Sequence, residues 1–131
     1  MGHIYTTIRI SNIERTKITE VKALADTGAT LTVLPQKVAQ ELELGEFTTE
    51  IVESGAGEIE LKRTSARISI DGRESVQDVL ISDFIDRVLL GVVTLETLAL
   101  SSDPLTGKLK EKRLLLYPLA LKRSTSGQEF C

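Results

Sequence analysis

Histidine and cysteine are nearly absent from this chain, which excludes several kinds of chemistry. Among 131 residues, His3 is the only histidine and Cys131 the only cysteine. Serine and cysteine hydrolases use a histidine base, and most zinc sites need several His or Cys ligands. A single cysteine also excludes a disulfide within the chain. We therefore expect no metal and no organic cofactor, and any catalysis must use carboxylates, hydroxyls, lysines or backbone groups.

Aromatic residues, positive charge and long apolar runs are also scarce. Aromatics make up 4% of the chain and tryptophan is missing, so Leu, Ile, Val and Ala must build the core. The net charge of −3 argues against a general nucleic-acid binder. No segment has the length of a membrane helix, and no signal-peptide pattern opens the sequence. We expect a cytoplasmic protein with one domain over residues 1–121 and a polar tail over 122–131.

Alternation of apolar and polar residues predicts a mostly β fold. Residues 4–10 and 16–24 are typical of strands, and Pro35 suits the first turn of a short helix that contains Val38 and Leu42. The other predicted elements are a hairpin over 50–62, a hairpin over 66–81 with an Asp-Gly turn, a buried strand over 88–90, a second helix around 95–99 and a strand over 114–116.

The tripeptide Asp26-Thr27-Gly28 stands out because it lies between two apolar segments. Asp-Thr-Gly is a reasonable turn by itself, and that interpretation stays open. A solvated turn, however, rarely has flanks this apolar. An aspartate that follows a buried strand must find partners or shift its pKa, because burying an isolated charge is costly. The motif is therefore a candidate for acid–base chemistry.

The sequence resembles the retroviral-type (retropepsin-like) aspartic proteases, in particular their cellular, prokaryotic branch. Residues 26–30 match the catalytic loop of that family, and Leu34-Pro35 resembles the strand-to-helix continuation that follows it. Leu89-Leu90-Gly91, which ends 63 residues after Gly28, matches the second signature of two apolar residues and a glycine. Residues 103–109 resemble the C-terminal turn of the branch. The implied fold is a closed, barrel-like sheet with one or two short helices, one lobe per chain.

One feature of the viral members is missing. They often carry an acid just after the catalytic loop and an arginine just after the second glycine, as an ion pair. Thr30 and Val92 occupy those positions here, so both partners are absent together. Losing both charges is tolerable, whereas losing one would leave an unpaired charge. The pattern fits the cellular branch.

The resemblance implies an aspartic endopeptidase that acts as a homodimer, because one chain supplies only one Asp-Thr-Gly. Asp26 would be catalytic in both protomers, with Thr27, Gly28 and Ala29 supporting its loop. Leu89, Leu90 and Gly91 would form the second signature. The partners are a second copy and a peptide or protein substrate. The hairpin tip would close over that substrate as a flap, and its residues are Ser54, Gly55, Ala56 and Gly57.

Several alternatives stay open. The fold could serve a non-catalytic dimerisation or peptide-binding module. A nucleotide site is disfavoured, since no phosphate-loop pattern is present. Apolar terminal strands over 4–10 and 114–121 would interleave between protomers in the family, or else form edges within one chain. Seven glutamates and no basic residue lie between Glu41 and Glu60, which indicates either a solvated face or a flap that favours basic substrates.

Overall fold

The computed structural model describes residues 4–103 and 105–112. Nine strands and two short helices occur in this part of the chain. In chain order they are β1 (Ile4–Ser11), β2 (Ile18–Ala25), β3 (Thr32–Pro35), α1 (Gln36–Glu41), β4 (Thr48–Ser54), β5 (Gly57–Ile70), β6 (Arg73–Ser82), β7 (Val88–Leu90), α2 (Val92–Thr97), β8 (Leu100–Asp103) and β9 (Lys108–Glu111). None of these helices is long and apolar enough to cross a membrane.

Six strands close into a barrel. Their order is β1-β2-β7-β3-β6-β5, and β5 returns to pair with β1. β2 pairs with β7 in parallel and β3 pairs with β6 in parallel, whereas the other contacts between barrel strands are antiparallel. β4 pairs only with the first half of β5, so this hairpin projects from the barrel. The predicted mostly β, single-lobed barrel is confirmed.

Small aliphatic side chains fill the barrel. The buried core of the described residues consists entirely of Ile, Leu, Val and Ala, as the lack of aromatics predicts. Fully buried side chains alternate along β1 at residues 8 and 10 and along the second half of β5 at residues 66, 68 and 70, which explains the period of two in these sequences. Val38 on α1, Leu42 directly after α1 and Leu95 on α2 complete the core.

The two predicted hairpins exist, but they share one strand. β5 runs unbroken for 14 residues, pairing with β4 over residues 57–63 and with β6 over residues 62–70. Lys62 and Arg63 pair on both sides, so the polar residues 62–65 continue the strand instead of interrupting it. The projecting hairpin and the barrel wall are consequently parts of one continuous strand.

Both predicted helices are present with shifted starts. Pro35 ends β3 and precedes α1 with an extended backbone, so it does not belong to the first turn as predicted. α2 begins at Val92, before the apolar residues that predicted it, and Ala99 lies beyond its end with a left-handed backbone.

The structure tests the prediction for the N-terminal strand but only part of the prediction for the C-terminal region. β1 pairs along its whole length with β2 and at residues 9–11 with β5, which is the arrangement within one chain that the sequence left open. β8 and β9 form a hairpin around the predicted turn, and β9 was not predicted. The predicted strand over 114–116, the terminal segment 114–121 and the tail 122–131 lie outside the described residues, so the domain boundary stays a prediction.

Candidate active site

Asp26 begins the loop between β2 and β3, and this loop holds its carboxylate in place. The Asp26 backbone N–H donates to the Leu90 carbonyl at 2.9 Å, and the Ala29 N–H donates to the Asp26 carbonyl at 3.1 Å. The Gly28 N–H donates to Asp26 Oδ1 at 2.9 Å. The side chain is half-buried, while Thr27 and Gly28 are exposed. The loop therefore presents an oriented carboxylate at the surface.

The second signature packs directly against this loop. A Cβ on Gly91 would lie 2.4 Å from the Leu31 carbonyl carbon and 2.7 Å from the Thr30 oxygen, so only glycine fits there. The Val92 N–H donates to Ala29 O at 2.9 Å, and the Val93 N–H donates to Thr30 O at 3.0 Å. Thr30 and Val92, which stand at the positions of the viral ion pair, thus lie in the Asp26 loop and at the start of α2, two segments joined here by neutral backbone hydrogen bonds.

Sequence reasoning missed three buried polar residues behind the loop. Thr32 Oγ1 accepts from the Gly91 N–H at 3.0 Å and shares a hydrogen bond with Thr94 Oγ1 at 2.7 Å. Thr94 in turn donates to Gln77 Oε1 at 3.4 Å. Thr32 and Thr94 are fully buried at 0% and 1% exposure. The spacing of two residues between Thr32 and Leu34 could have predicted the burial of Thr32, since both lie on the inward face of β3.

Thr32→Val is expected to destabilise the protein by about 1–3 kcal/mol, because it leaves the buried Gly91 N–H without an acceptor. Thr32→Ser keeps the hydroxyl and is the matched control, with the smaller cost of one lost methyl group. Chemical denaturation measures both free energies of unfolding. A valine variant as stable as the serine variant would contradict a bracing role for the hydroxyl.

An apolar groove of about 580 Å³ lies between the Asp26 loop and the projecting hairpin. Gly28 and Ala29 line one side, and Ser54 lines the other. Glu53 is the only ionisable residue in its lining. Phe84 borders the groove and is 81% exposed, an aromatic that the sequence analysis did not assign to the site. The aliphatic lining residues are Leu31, Val33, Val52, Ile59, Leu61, Leu80, Ile85 and Leu89.

The hairpin tip has the geometry of a tight, exposed turn. The Ser54 hydroxyl donates to the Gly57 carbonyl at 2.7 Å and accepts from the Ala56 N–H at 3.2 Å. Gly57 has a φ of +111°, which favours glycine. Of the four predicted flap residues, Ser54 borders the groove, whereas Gly55, Ala56 and Gly57 lie at the tip beyond its lining.

The base of the hairpin is held by an ionic contact. Arg63 on β5 donates to Asp78 on β6 at 2.6 Å and to Glu50 on β4 at 2.8 Å. These two carboxylates, Asp78 more than Glu50, raise the pKa of Arg63. Arg63 therefore ties the projecting hairpin to the barrel wall where the two pairings of β5 overlap.

The described residues contain no group of three or more His, Cys, Asp or Glu side chains that could hold a metal ion. Two neighbouring residues of the second signature have different surroundings. Leu90 is buried in the core, and Leu89 lines the groove. The second signature thus contacts both the core and the apolar groove.

The fold and loop together define a class: a single-lobed β-barrel whose aspartate loop is buttressed by an apolar-apolar-glycine segment. Residues 10–97 match the family model described as gag-polyprotein putative aspartyl protease. The chain therefore belongs to this family of retropepsin-like aspartic proteases. No curated protein shows a significant match to it.

Proposed function

We propose that this protein is an aspartic endopeptidase that acts as a homodimer, with one Asp26 from each protomer. The observation that carries the proposal is the placement of the Asp26 carboxylate. It is fixed by the Gly28 N–H, half-buried, and located on a loop whose next residues border an apolar groove. Membership of the family supports the reaction class.

The chemistry requires two carboxylates close together that share one proton, since both cannot ionise at that distance. A water molecule lies between the two carboxylates. The ionised Asp26 takes a proton from this water while the water oxygen attacks the scissile carbonyl carbon. The protonated Asp26 donates its proton to the carbonyl oxygen. Collapse of the tetrahedral intermediate breaks the C–N bond, and the amine leaves with a proton from the dyad.

The exposure of the loop supports assembly across a two-fold axis. The chain has one Asp-Thr-Gly, and Thr27 and Gly28 are exposed in the isolated protomer. In a symmetric dimer each protomer would cover the same loop of its partner. Thr27 would brace the paired loops through its hydroxyl, and Gly28 would let the substrate backbone approach closely.

The groove supports an extended polypeptide as substrate. Its aliphatic lining and Phe84 suit an apolar side chain next to the cleaved bond. The projecting hairpin would close over the peptide and pair with it as an added strand. Glu53 and Glu58 lie directly opposite each other on this hairpin, which supports a preference for basic residues near the cleaved bond.

A peptide library incubated with the protein at about pH 3 to 7 tests the proposal. We expect a bell-shaped dependence of kcat/KM on pH, because one carboxylate must be ionised and the other protonated. Specific activity should rise with protein concentration until the dimer is saturated. Mass spectrometry maps the cleavage sites, and analytical ultracentrifugation measures the dimer.

The Asp26→Asn variant excludes a contaminating protease. Cleavage that persists unchanged in this variant would contradict the proposed role of Asp26. A saturated dimer that binds library peptides without cleaving them would instead favour the non-catalytic module.

A further inference from the structure

Three arginines from three segments converge on a pocket of about 230 Å³ at the seam where β1 meets β5. Arg9 comes from β1, Arg15 from the turn before β2, and Arg67 from β5. Among the described residues, Glu74 on β6 is the only acidic one in the lining. The cluster therefore has more positive charge than its own carboxylate neutralises. We call it the arginine pocket, lined by Arg9, Arg15, Arg67 and Glu74 with Ile10, Ser11, Ile18 and Ser69.

Glu74 is shared between two of the arginines. Its Oε2 accepts from Arg15 at 2.7 Å and from Arg67 at 3.1 Å. These contacts, Arg15 most strongly, lower the pKa of Glu74, so it is ionised at neutral pH. Arg9 makes a longer contact of 3.8 Å with Glu20, and both of those side chains are mostly exposed. One carboxylate thus serves two guanidinium groups, and a third guanidinium stands beside them.

Arg67 also has an unmet hydrogen bond. One of its terminal nitrogens donates to Glu74 and the other to the Ile13 carbonyl at 2.9 Å. Its Nε is buried and is the only buried side-chain nitrogen or oxygen without a partner in the described part of the chain. Such groups are rare in native proteins, because a buried donor without an acceptor costs about 1–3 kcal/mol.

The backbone around Arg15 is held in an unusual conformation. Arg15 has a φ of +62°, which bulky residues seldom adopt. Asn12 braces this turn: its Oδ1 accepts from the Thr16 N–H at 2.9 Å and its side-chain amide donates to Leu42 O at 3.2 Å. The turn is therefore rigid, and it brings the Arg15 guanidinium to the cluster at the cost of some strain.

We propose that the arginine pocket binds a small oxyanion, a phosphate or carboxylate group. Guanidinium groups match both anions through paired N–H donors, and three of them around one pocket supply more donors than Glu74 accepts. The bound anion would offset the charge excess and compete with Glu74 for Arg15. Ile18 of the pocket begins β2, and Asp26 follows the end of this strand, about 26 Å away at about 3.3 Å per residue. The inference is thus independent of the proposed protease activity.

Titration with inorganic phosphate, and separately with acetate, at constant ionic strength tests the proposal. The readout is the side-chain Nε–H signals of the arginines in two-dimensional NMR. We expect saturable shifts confined to Arg9, Arg15 and Arg67. Tighter binding of phosphate would identify a phosphoryl site, and tighter binding of acetate would identify a carboxylate site.

Variants locate the binding to this pocket. Arg9→Gln and Arg15→Gln should each weaken the affinity about threefold to tenfold. Glu74→Gln should strengthen it, because the competing carboxylate is removed. The matched control is Arg87→Gln, an exposed arginine outside the pocket that contacts Asp86 and Tyr5, and it should leave the affinity unchanged.

Two results would overturn the inference: shifts that never saturate with either anion, or equal affinities in Arg9→Gln, Arg15→Gln and the wild type. Both variants replace side chains that are more than half exposed, so the fold should survive them.

Discussion

Asp26→Asn is expected to lower kcat by about 10²–10⁴-fold while leaving the fold intact. The asparagine Oδ1 can still accept from the Gly28 N–H at the 2.9 Å position of the carboxylate oxygen, so the loop geometry should persist. What disappears is the ionisable group, and with it the shared proton that the two-carboxylate mechanism needs. Steady-state kinetics on a cleaved library peptide measure the loss, and thermal unfolding checks that stability is unchanged.

Asp103→Asn is a closely matched control for this substitution. Asp103 Oδ1 accepts from the Leu105 N–H at 3.0 Å, which is the same two-residue turn contact that Asp26 makes with Gly28. It should retain wild-type kcat, because it lies in the β8–β9 hairpin. A loss of activity in both variants would show that an Asp-to-Asn change at such a turn disturbs the protein in general, and would contradict a specific acid–base role for Asp26.

Mixing the two kinds of protomer tests the shared site directly. If each dimer needs both carboxylates, excess Asp26→Asn protein should suppress wild-type activity by capturing wild-type protomers in mixed dimers. Activity that stays constant as the variant is added, under conditions where subunits exchange, would contradict a site built from two chains.

Gly91→Ala is expected to lower the free energy of unfolding by about 3 kcal/mol. The added methyl group would lie 2.4 Å from the Leu31 carbonyl carbon and 2.6 Å from its oxygen. Both are backbone atoms of the segment that joins the Asp26 loop to β3, so no side-chain rotation relieves the contact. The backbone must move, and the hydrogen bonds from Val92 and Val93 to the loop would be strained or lost.

Gly55→Ala provides the control for the glycine substitution itself. A Cβ at Gly55 meets nothing within 4 Å and its φ is not left-handed, so the change should stay within about 0.5 kcal/mol. Urea denaturation of the wild type, Gly91→Ala and Gly55→Ala measures the three free energies of unfolding. The comparison is valid when the free energy falls with urea concentration at the same slope in all three proteins. A Gly91→Ala variant as stable as Gly55→Ala would contradict a rigid contact between Gly91 and the backbone of the Asp26 loop.

The sequence predicted the parts of the fold that depend on local pattern. Alternation located most strands of the barrel and a continuous apolar run located β7, Asp71-Gly72 located a hairpin turn, and apolar residues on one face located both helices, whereas β8 and β9 were not predicted. The catalytic loop and second signature came from a resemblance to a known family, and their contact is now visible in the hydrogen bond from the Asp26 N–H to Leu90. Alternation by itself could not have paired segments more than sixty residues apart.

What the sequence did not predict depends on tertiary contacts. Residues 63–65 are polar and fall between the two predicted hairpins, yet they belong to β5, because Arg63 pairs with both β4 and β6 and the next two residues pair with β6. Thr32 is polar, and its burial is tolerated only because Gly91 and Thr94 satisfy its hydroxyl. Arg67 lies more than fifty residues after Arg9 and Arg15, so only the pairing of β1 with β5 that closes the barrel brings it to the pocket.

The pairing of β2 with β7 has a consequence for the order of events during synthesis. The Asp26 loop takes its backbone support from Leu90, and its neighbour Thr32 bonds to Gly91, so both contacts depend on residues made much later. Forming such distant contacts is slow, because a long stretch of chain must be ordered first. A chain still being translated, ending before Val88, therefore has the aspartate but not its buttress. The loop around Asp26 gains its full backbone support only when nearly the whole barrel has left the ribosome, so the proposed proteolysis would begin no earlier than that.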